Sequence, residues 1–145
     1  MISILLPTKG RPEMLMRFMK SVVETAANPS DIEFVLSIED TDHSYDELTF
    51  DIPMGKLTII RDPHKNLSEC YEWKVAMGPI YMMAGDDLVF HTNGWDRIVL
   101  AEFEKYPDKI VMVYGRDGDP TNFNKYATHP FILIIWITAV GRFLP

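Results

Sequence analysis

Hydrophobic and polar positions alternate between two periods along the chain. Residues 2–6 form a short apolar run broken only by Ser3, the pattern of a strand covered on both faces. It gives way to Pro7-Thr8-Lys9-Gly10-Arg11-Pro12, a turn-rich loop with two cations and a hydroxyl. From Glu13 the period becomes helical. Leu15, Met19, Val22 and Ala26 share a face with Phe18 beside them, and Asn28-Pro29 stops the run. Residues 32–38 predict a second strand that ends in Glu39-Asp40-Thr41-Asp42, and residues 57–60 a third that ends in Arg61-Asp62-Pro63.

Asn66, with Glu69 three residues on, predicts a capped helix that ends at Gly78. Gly78-Pro79 then opens the apolar run of residues 80–84, which leads through Gly85 into the adjacent carboxylates Asp86-Asp87. A helix capped by Thr92 or Asn93 is expected over residues 94–105, and a fifth strand over residues 110–114. Strands alternating with helices imply βαβ units and a Rossmann-like, mostly parallel sheet flanked by helices, an α/β fold.

Composition narrows the class. A chain of 145 residues is one ordinary domain with room for a real core. A net charge of −7 argues against general affinity for nucleic acid or anionic membranes. The single cysteine, Cys70, excludes an internal disulfide and suits a reducing cytosol. No basic leader precedes an apolar core, so a cytoplasmic location is expected. The longest apolar run, residues 131–140, is about half of the roughly 20 residues that a membrane span needs.

Loops that follow successive parallel strands share one edge of a sheet, and ligands of open α/β sheets bind there. That edge should gather Thr8 to Arg11, Glu39 to Asp42, Arg61-Asp62, Asp86-Asp87 and residues 117–119 around one crevice. Side-by-side carboxylates repel unless a cation joins them, and their hard oxygens suit Mg²⁺ or Mn²⁺ bridging to phosphate. The turn at Gly10-Arg11-Pro12 leads into a helix N-terminus, which favours anions. Together these groups suit a nucleotide.

The same residues carry a resemblance. The run from Ile2 through Pro7-Thr8 to Arg11 is similar to the opening strand and loop of the inverting glycosyltransferases of family 2 with the GT-A fold. Val35-Leu36-Ser37-Ile38-Glu39-Asp40-Thr41-Asp42 resembles their second strand, whose acidic end holds the donor nucleoside. Ala84-Gly85-Asp86-Asp87 resembles their Asp-x-Asp region, where carboxylates hold a divalent metal against the sugar-nucleotide diphosphate. Gly94-Trp95-Asp96 and His129-Pro130-Phe131 also resemble smaller members. Two departures stand out. Gly85 occupies the place of the first Asp of Asp-x-Asp, and Glu39 stands where the family has Asp, so Glu39 or Asp40 faces the base.

The resemblance implies a short or truncated transferase that moves a sugar from a nucleotide-diphospho-sugar, a UDP-sugar favoured, to a hydroxyl acceptor. Pro7, Thr8, Lys9, Arg11, Glu39, Asp40 and Asp86 would bind the nucleotide, and Asp86 and Asp87 the Mn²⁺ or Mg²⁺. Residues 1–115 would be the nucleotide-sugar-binding half of a single domain, and residues 116–145 a partial acceptor-side segment. The general base is unassigned, because Asp117 and Asp119 come early for that role. The apolar stretch 131–140, followed by Gly141-Arg142-Phe143-Leu144-Pro145, suggests a missing acceptor half and a possible homodimer. Lys74 is a further candidate for the diphosphate, and Trp95 is the best placed of three tryptophans to stack on sugar or base.

Other classes fit less well. A Gly-Asp-Asp turn also occurs in RNA polymerases, which need a longer chain and a basic channel. No Gly-x-Gly-x-x-Gly follows the first strand, which argues against a dinucleotide-dependent oxidoreductase. A nucleotide-sugar-binding domain without turnover remains the alternative. His43 among its acidic neighbours and His129 before Pro130 read as ordinary loop histidines.

Overall fold

The computed structural model describes residues 1–63, 65–71, 73–118, 121 and 126–140. Five strands form one sheet in the order β3-β2-β1-β4-β5. β1 (Ile2–Pro7) lies between β2 (Ile32–Glu39) and β4 (Ile80–Met83), parallel to both, and β2 pairs in parallel with β3 (Lys56–Asp62). The chain leaves β1 towards β2 on one side and returns to β4 on the other. The order therefore reverses at β1, which opens a crevice beyond the carboxyl ends of β1 and β4.

Because side chains alternate across a strand, β1 feeds two cores. Ile2, Ile4 and Leu6 join Phe34, Leu36 and Met82 under helix α1 (Pro12–Thr25) and helix α2 (Trp95–Glu104). Leu5, Val35, Tyr81 and Ile132 point to the opposite face, with Tyr71 and Ile137 above them. Pro12 starts α1 at no hydrogen-bonding cost, and Leu15, Phe18, Met19, Val22 and Val23 are buried along one stripe. Each such side chain contributes about 1.5–3 kcal/mol by leaving water.

The motif Gly94-Trp95-Asp96 clamps the end of α1. Gly94, left-handed at φ 71°, donates its N–H to Thr25 O at 2.7 Å. Trp95 Nε1 donates to Val22 O at 2.9 Å, and the two Asp96 oxygens accept from Ala27 N and Asn28 N at 2.7 and 2.9 Å. The cap of α2 is thus Gly94, neither Thr92 nor Asn93. Trp95 is buried against Phe131, 5.7 Å between ring centres, so it is a core residue with no face for a sugar.

Two further expectations are corrected. No α-helix spans residues 66–78. The capping pair forms, Asn66 N to Glu69 Oε2 and Glu69 N to Asn66 Oδ1 both at 3.1 Å, but it closes one turn only. Beyond it Tyr71 is buried against the sheet, with Trp73 and Ala76 packed beside it at a spacing no helix provides. Burial of large aromatics outweighs the slight preference of a short helix. Cys70 consequently sits in a turn rather than mid-helix.

Residues 110–114 make no strand. Ile110, Met112 and Tyr114 stay exposed, and only Val113 bridges to Phe131. The slot beside β4 goes to β5 (Phe131–Leu133), which runs antiparallel and buries Phe131 and Ile132. Finally, the apolar run 131–140 divides into β5 and helix α3 (Ile134–Val140), with Ile137 buried and Ile134, Ile135 and Val140 exposed. Residues 141–145 lie outside the described residues.

A polar device anchors the irregular crossover into β4. Glu33 and Ser3 are fully buried on neighbouring strands, and Ser3 Oγ donates to Glu33 Oε2 at 2.5 Å. Met77 N donates to the same oxygen at 2.7 Å, and Gly78 N to Ser3 Oγ at 2.9 Å. Among the described residues Glu33 Oε1 has no hydrogen-bond partner, and it faces Lys56 Nζ at 3.4 Å.

Candidate functional site

The turn after β1 is the hub of the crevice. Thr8 is buried, and its hydroxyl donates to Asp86 Oδ2 at 2.7 Å. Arg11 Nη1 lies 3.2 Å from Asp86 Oδ1. Asp86 is itself only 2% exposed, so both of its oxygens are committed to the β1 loop. An uncompensated carboxylate at that depth would be costly, and Arg11 provides the compensation. Asp87, one residue on, is exposed. The two neighbours are therefore not equivalent: Asp86 ties loops together and Asp87 faces outward.

A pocket of about 180 Å³ opens beside this hub. Pro7, Thr8, Lys9 and Arg11 form one wall, with Ser37, Ile38 and Glu39 from the end of β2 next to them. Asp62, Pro63 and Lys65 close it after β3, together with Leu67 and Cys70 from the turn that replaces the expected helix. Glu39 lines the pocket, whereas Asp40 is exposed outside it and its N–H donates to Asp62 O at 2.9 Å.

Every cation in this region meets a carboxylate. Lys9 Nζ lies 2.8 Å from Glu39 Oε2, Lys65 Nζ 2.7 Å from Asp62 Oδ2 and Arg61 Nη2 2.6 Å from Asp46 Oδ1. The hydrogen bond to Glu39 raises the Lys9 pKa above its ordinary value. Asp42 is held below the usual carboxylate range, chiefly by the Ser44 hydroxyl and also by the backbone N–H groups of Ser44 and Gly10.

His129 enters the site unexpectedly. Pairing of β5 with β4 extends to Met83 N and Pro130 O at 3.1 Å, which carries His129 to the mouth of the crevice. A Cβ built on Gly85 would stand 2.8 Å from Asp87 Oδ1 and 3.5 Å from His129 Cε1, so both side chains lean over this glycine. His129 holds φ at 50°, a left-handed conformation disfavoured for a non-glycine residue and more so before proline. Sequence spacing did not place His129 beside Asp87.

Other candidates stand apart. Lys74 lies over the Trp73 ring at 5.8 Å, on a turn that does not line the pocket. His43 pairs with Asp46 at 2.9 Å. Asp117 is exposed, with Thr128 Oγ1 3.4 Å away, and Asp119 lies outside the described residues. Among the described residues, no three His, Cys, Asp or Glu side chains form a ready-made metal cage. Among them, too, no helix is long and apolar enough to cross a membrane.

No protein-family model matches the chain, and no curated protein does. Solved structures do match. The mannosyltransferase PcManGT from Pyrobaculum calidifontis, in complex with GDP-Man and Mn²⁺, superposes with a TM-score of 0.70 at 14% identity, over 99% of this chain and 47% of that one. The fold is GT-A. Residues 1–349 of S. aureus TarS with UDP-GlcNAc give a TM-score of 0.69 at 12% identity, over 99% of this chain and 48% of that one. The same TarS fragment with UDP gives 0.68 at 12% identity, over 99% and 50%. The chain thus spans about half the length of these GT-A structures.

Proposed function

We propose that the chain binds a nucleotide-diphospho-sugar with a divalent cation beyond the carboxyl ends of the parallel strands, from the pocket after β1, β2 and β3 to the crevice between β1 and β4, as the donor-binding part of a glycosyltransferase. The observation that carries this reading is the hub itself. At the point of strand reversal, Thr8 and Arg11 tie the pocket wall to buried Asp86, whose neighbour Asp87 faces outward. The GT-A fold supports it, since PcManGT with that fold holds GDP-Man and Mn²⁺, and TarS holds UDP-GlcNAc.

In this reading the base and ribose lie against Pro7, Thr8 and Glu39, where Glu39 accepts hydrogen bonds from ring or ribose donors. Arg11 turns its guanidinium towards the diphosphate, while Lys9 and Lys65 add positive charge at the rim. Asp40 contributes through the backbone bond that ties β2 to β3. Asp87 with His129, one hard oxygen and one imidazole leaning over the bare backbone of Gly85, would hold a divalent cation. Asp86 helps from behind by holding Arg11 and Thr8. When bound, the cation would supply positive charge to offset that of the diphosphate leaving group. A uridine diphospho-sugar is the first donor to test.

A second reading, a nucleotide-sugar-binding domain without turnover, is favoured by one observation. Asp117, the described carboxylate first in line as a general base, is exposed beside Thr128 rather than set at the crevice floor. Calorimetry on Asp87→Asn tests the metal assignment common to both readings. The variant should fold normally and lose at least tenfold in Mn²⁺-dependent affinity for UDP or GDP. Unchanged affinity would move the cation elsewhere.

A further inference from the structure

We infer that Tyr45 is a positioning residue for the nucleotide loop, acting through its hydroxyl on Thr8 and Arg11. The inference rests on the crevice being a nucleotide site. Tyr45 comes from the short turn His43–Tyr45 after β2 and is 4% exposed. Its ring belongs to the core under α1, which alone would explain an aromatic there. The hydroxyl needs a separate explanation. It accepts the Arg11 backbone N–H at 3.0 Å and lies 2.7 Å from Thr8 Oγ1.

The direction of that second bond follows from counting protons. Thr8 has one hydroxyl proton, and it points to Asp86 Oδ2 at 2.7 Å. Tyr45 must therefore be the donor to Thr8. The bonds run one way, from Arg11 N–H to the phenol, from the phenol to Thr8, and from Thr8 to Asp86. Asp86 then meets the guanidinium of Arg11, 3.2 Å away, which closes a ring on the residue where it began. Hydrogen bonds aligned head to tail polarise one another, so the run from Arg11 N–H to Asp86 is firmer than its members taken singly.

The same turn holds the loop at another point. Asp42 accepts from Gly10 N at 2.7 Å with one oxygen and from Ser44 N and Oγ with the other. Gly10 is left-handed at φ 64°, a conformation that glycine adopts without the Cβ clash of other residues. Three of the four residues 8–11 are thus fixed from residues 42–45. A loop ordered before its ligand arrives spares the entropy of ordering it on binding. Tyr45 supplies that order without touching the ligand.

Tyr45→Phe keeps the ring and removes only the hydroxyl, leaving the Arg11 N–H and Thr8 short of a partner. With UDP or GDP and Mn²⁺ as probes, the dissociation constant should rise roughly tenfold, measured well below the melting temperature of the variant. Thr8→Val should cause a similar loss, and the double variant should lose little more than the worse single one, because both break one ring. Asp42→Ala, an exposed change at the other hold, should weaken binding in the same direction, and it decides the matter should Tyr45→Phe not fold. Wild-type affinity in Tyr45→Phe, or fully additive losses in the double variant, would overturn the positioning role while leaving the nucleotide site intact. A wild-type chain that binds neither nucleotide would instead sink the functional reading, and this inference with it.

Discussion

Asp86 and Asp87 are adjacent in sequence and opposite in circumstance. One is 2% exposed and enclosed by Thr8 and Arg11, the other exposed beside Gly85 and His129. The carboxylate pair was legible in sequence because two acids after an apolar run are rare. Which of them faces outward was not, since that depends on where a loop 75 residues earlier places its hydroxyl and guanidinium. Tyr45 and His129 were harder still. No period marks a phenol in a polar loop, and His129 reaches the crevice only through the register of β5. Asp42 yields a pH prediction. Its folded pKa lies below the ordinary 3.8, so its contribution is fully present above that value and lost as pH falls through the depressed one. Melting curves between about pH 5 and pH 2.5 should show a steep acid loss that becomes shallower in Asp42→Asn. An identical slope in the variant would remove Asp42 from the account.

At the scale of elements, the parallel half of the sheet and both long helices could be read from periodicity. β1, β2 and β4 are short apolar runs, and α1 carries a clear helical stripe. The failures share a cause. Residues 66–78 have a sound capping pair and residues 110–114 a good strand composition, yet both lost to neighbours that bury more aromatic and aliphatic surface. In place of a crossover helix into β4, the chain uses the Ser3–Glu33 pair to hold Met77 and Gly78. Ser3→Ala would strip a donor from a buried carboxylate and an acceptor from Gly78 N. The expected cost is about 1–3 kcal/mol in urea unfolding. A change below about 0.5 kcal/mol, the scale of an ordinary surface substitution, would mean the pair is not an anchor.

At the scale of the molecule, charge sets the conditions for the proposed nucleotide binding. The chain carries a net charge of −7. Among the described residues around the crevice, Lys9, Arg11, Arg61 and Lys65 meet Glu39, Asp40, Asp42, Asp46, Asp62, Asp86 and Asp87, four cations against seven carboxylates. A bare diphosphate approaching that rim is repelled, and a divalent cation reverses the balance. The most direct test is a calorimetric titration of UDP and GDP, with and without Mn²⁺, at about 20 and 200 mM salt, concentrations that bracket strong and weak screening. The account predicts weak metal-free binding that tightens as salt rises, and at least tenfold tighter binding with Mn²⁺ for one of the two nucleotides. Tight metal-free binding that weakens with salt, or no binding of either nucleotide in Mn²⁺, would contradict it.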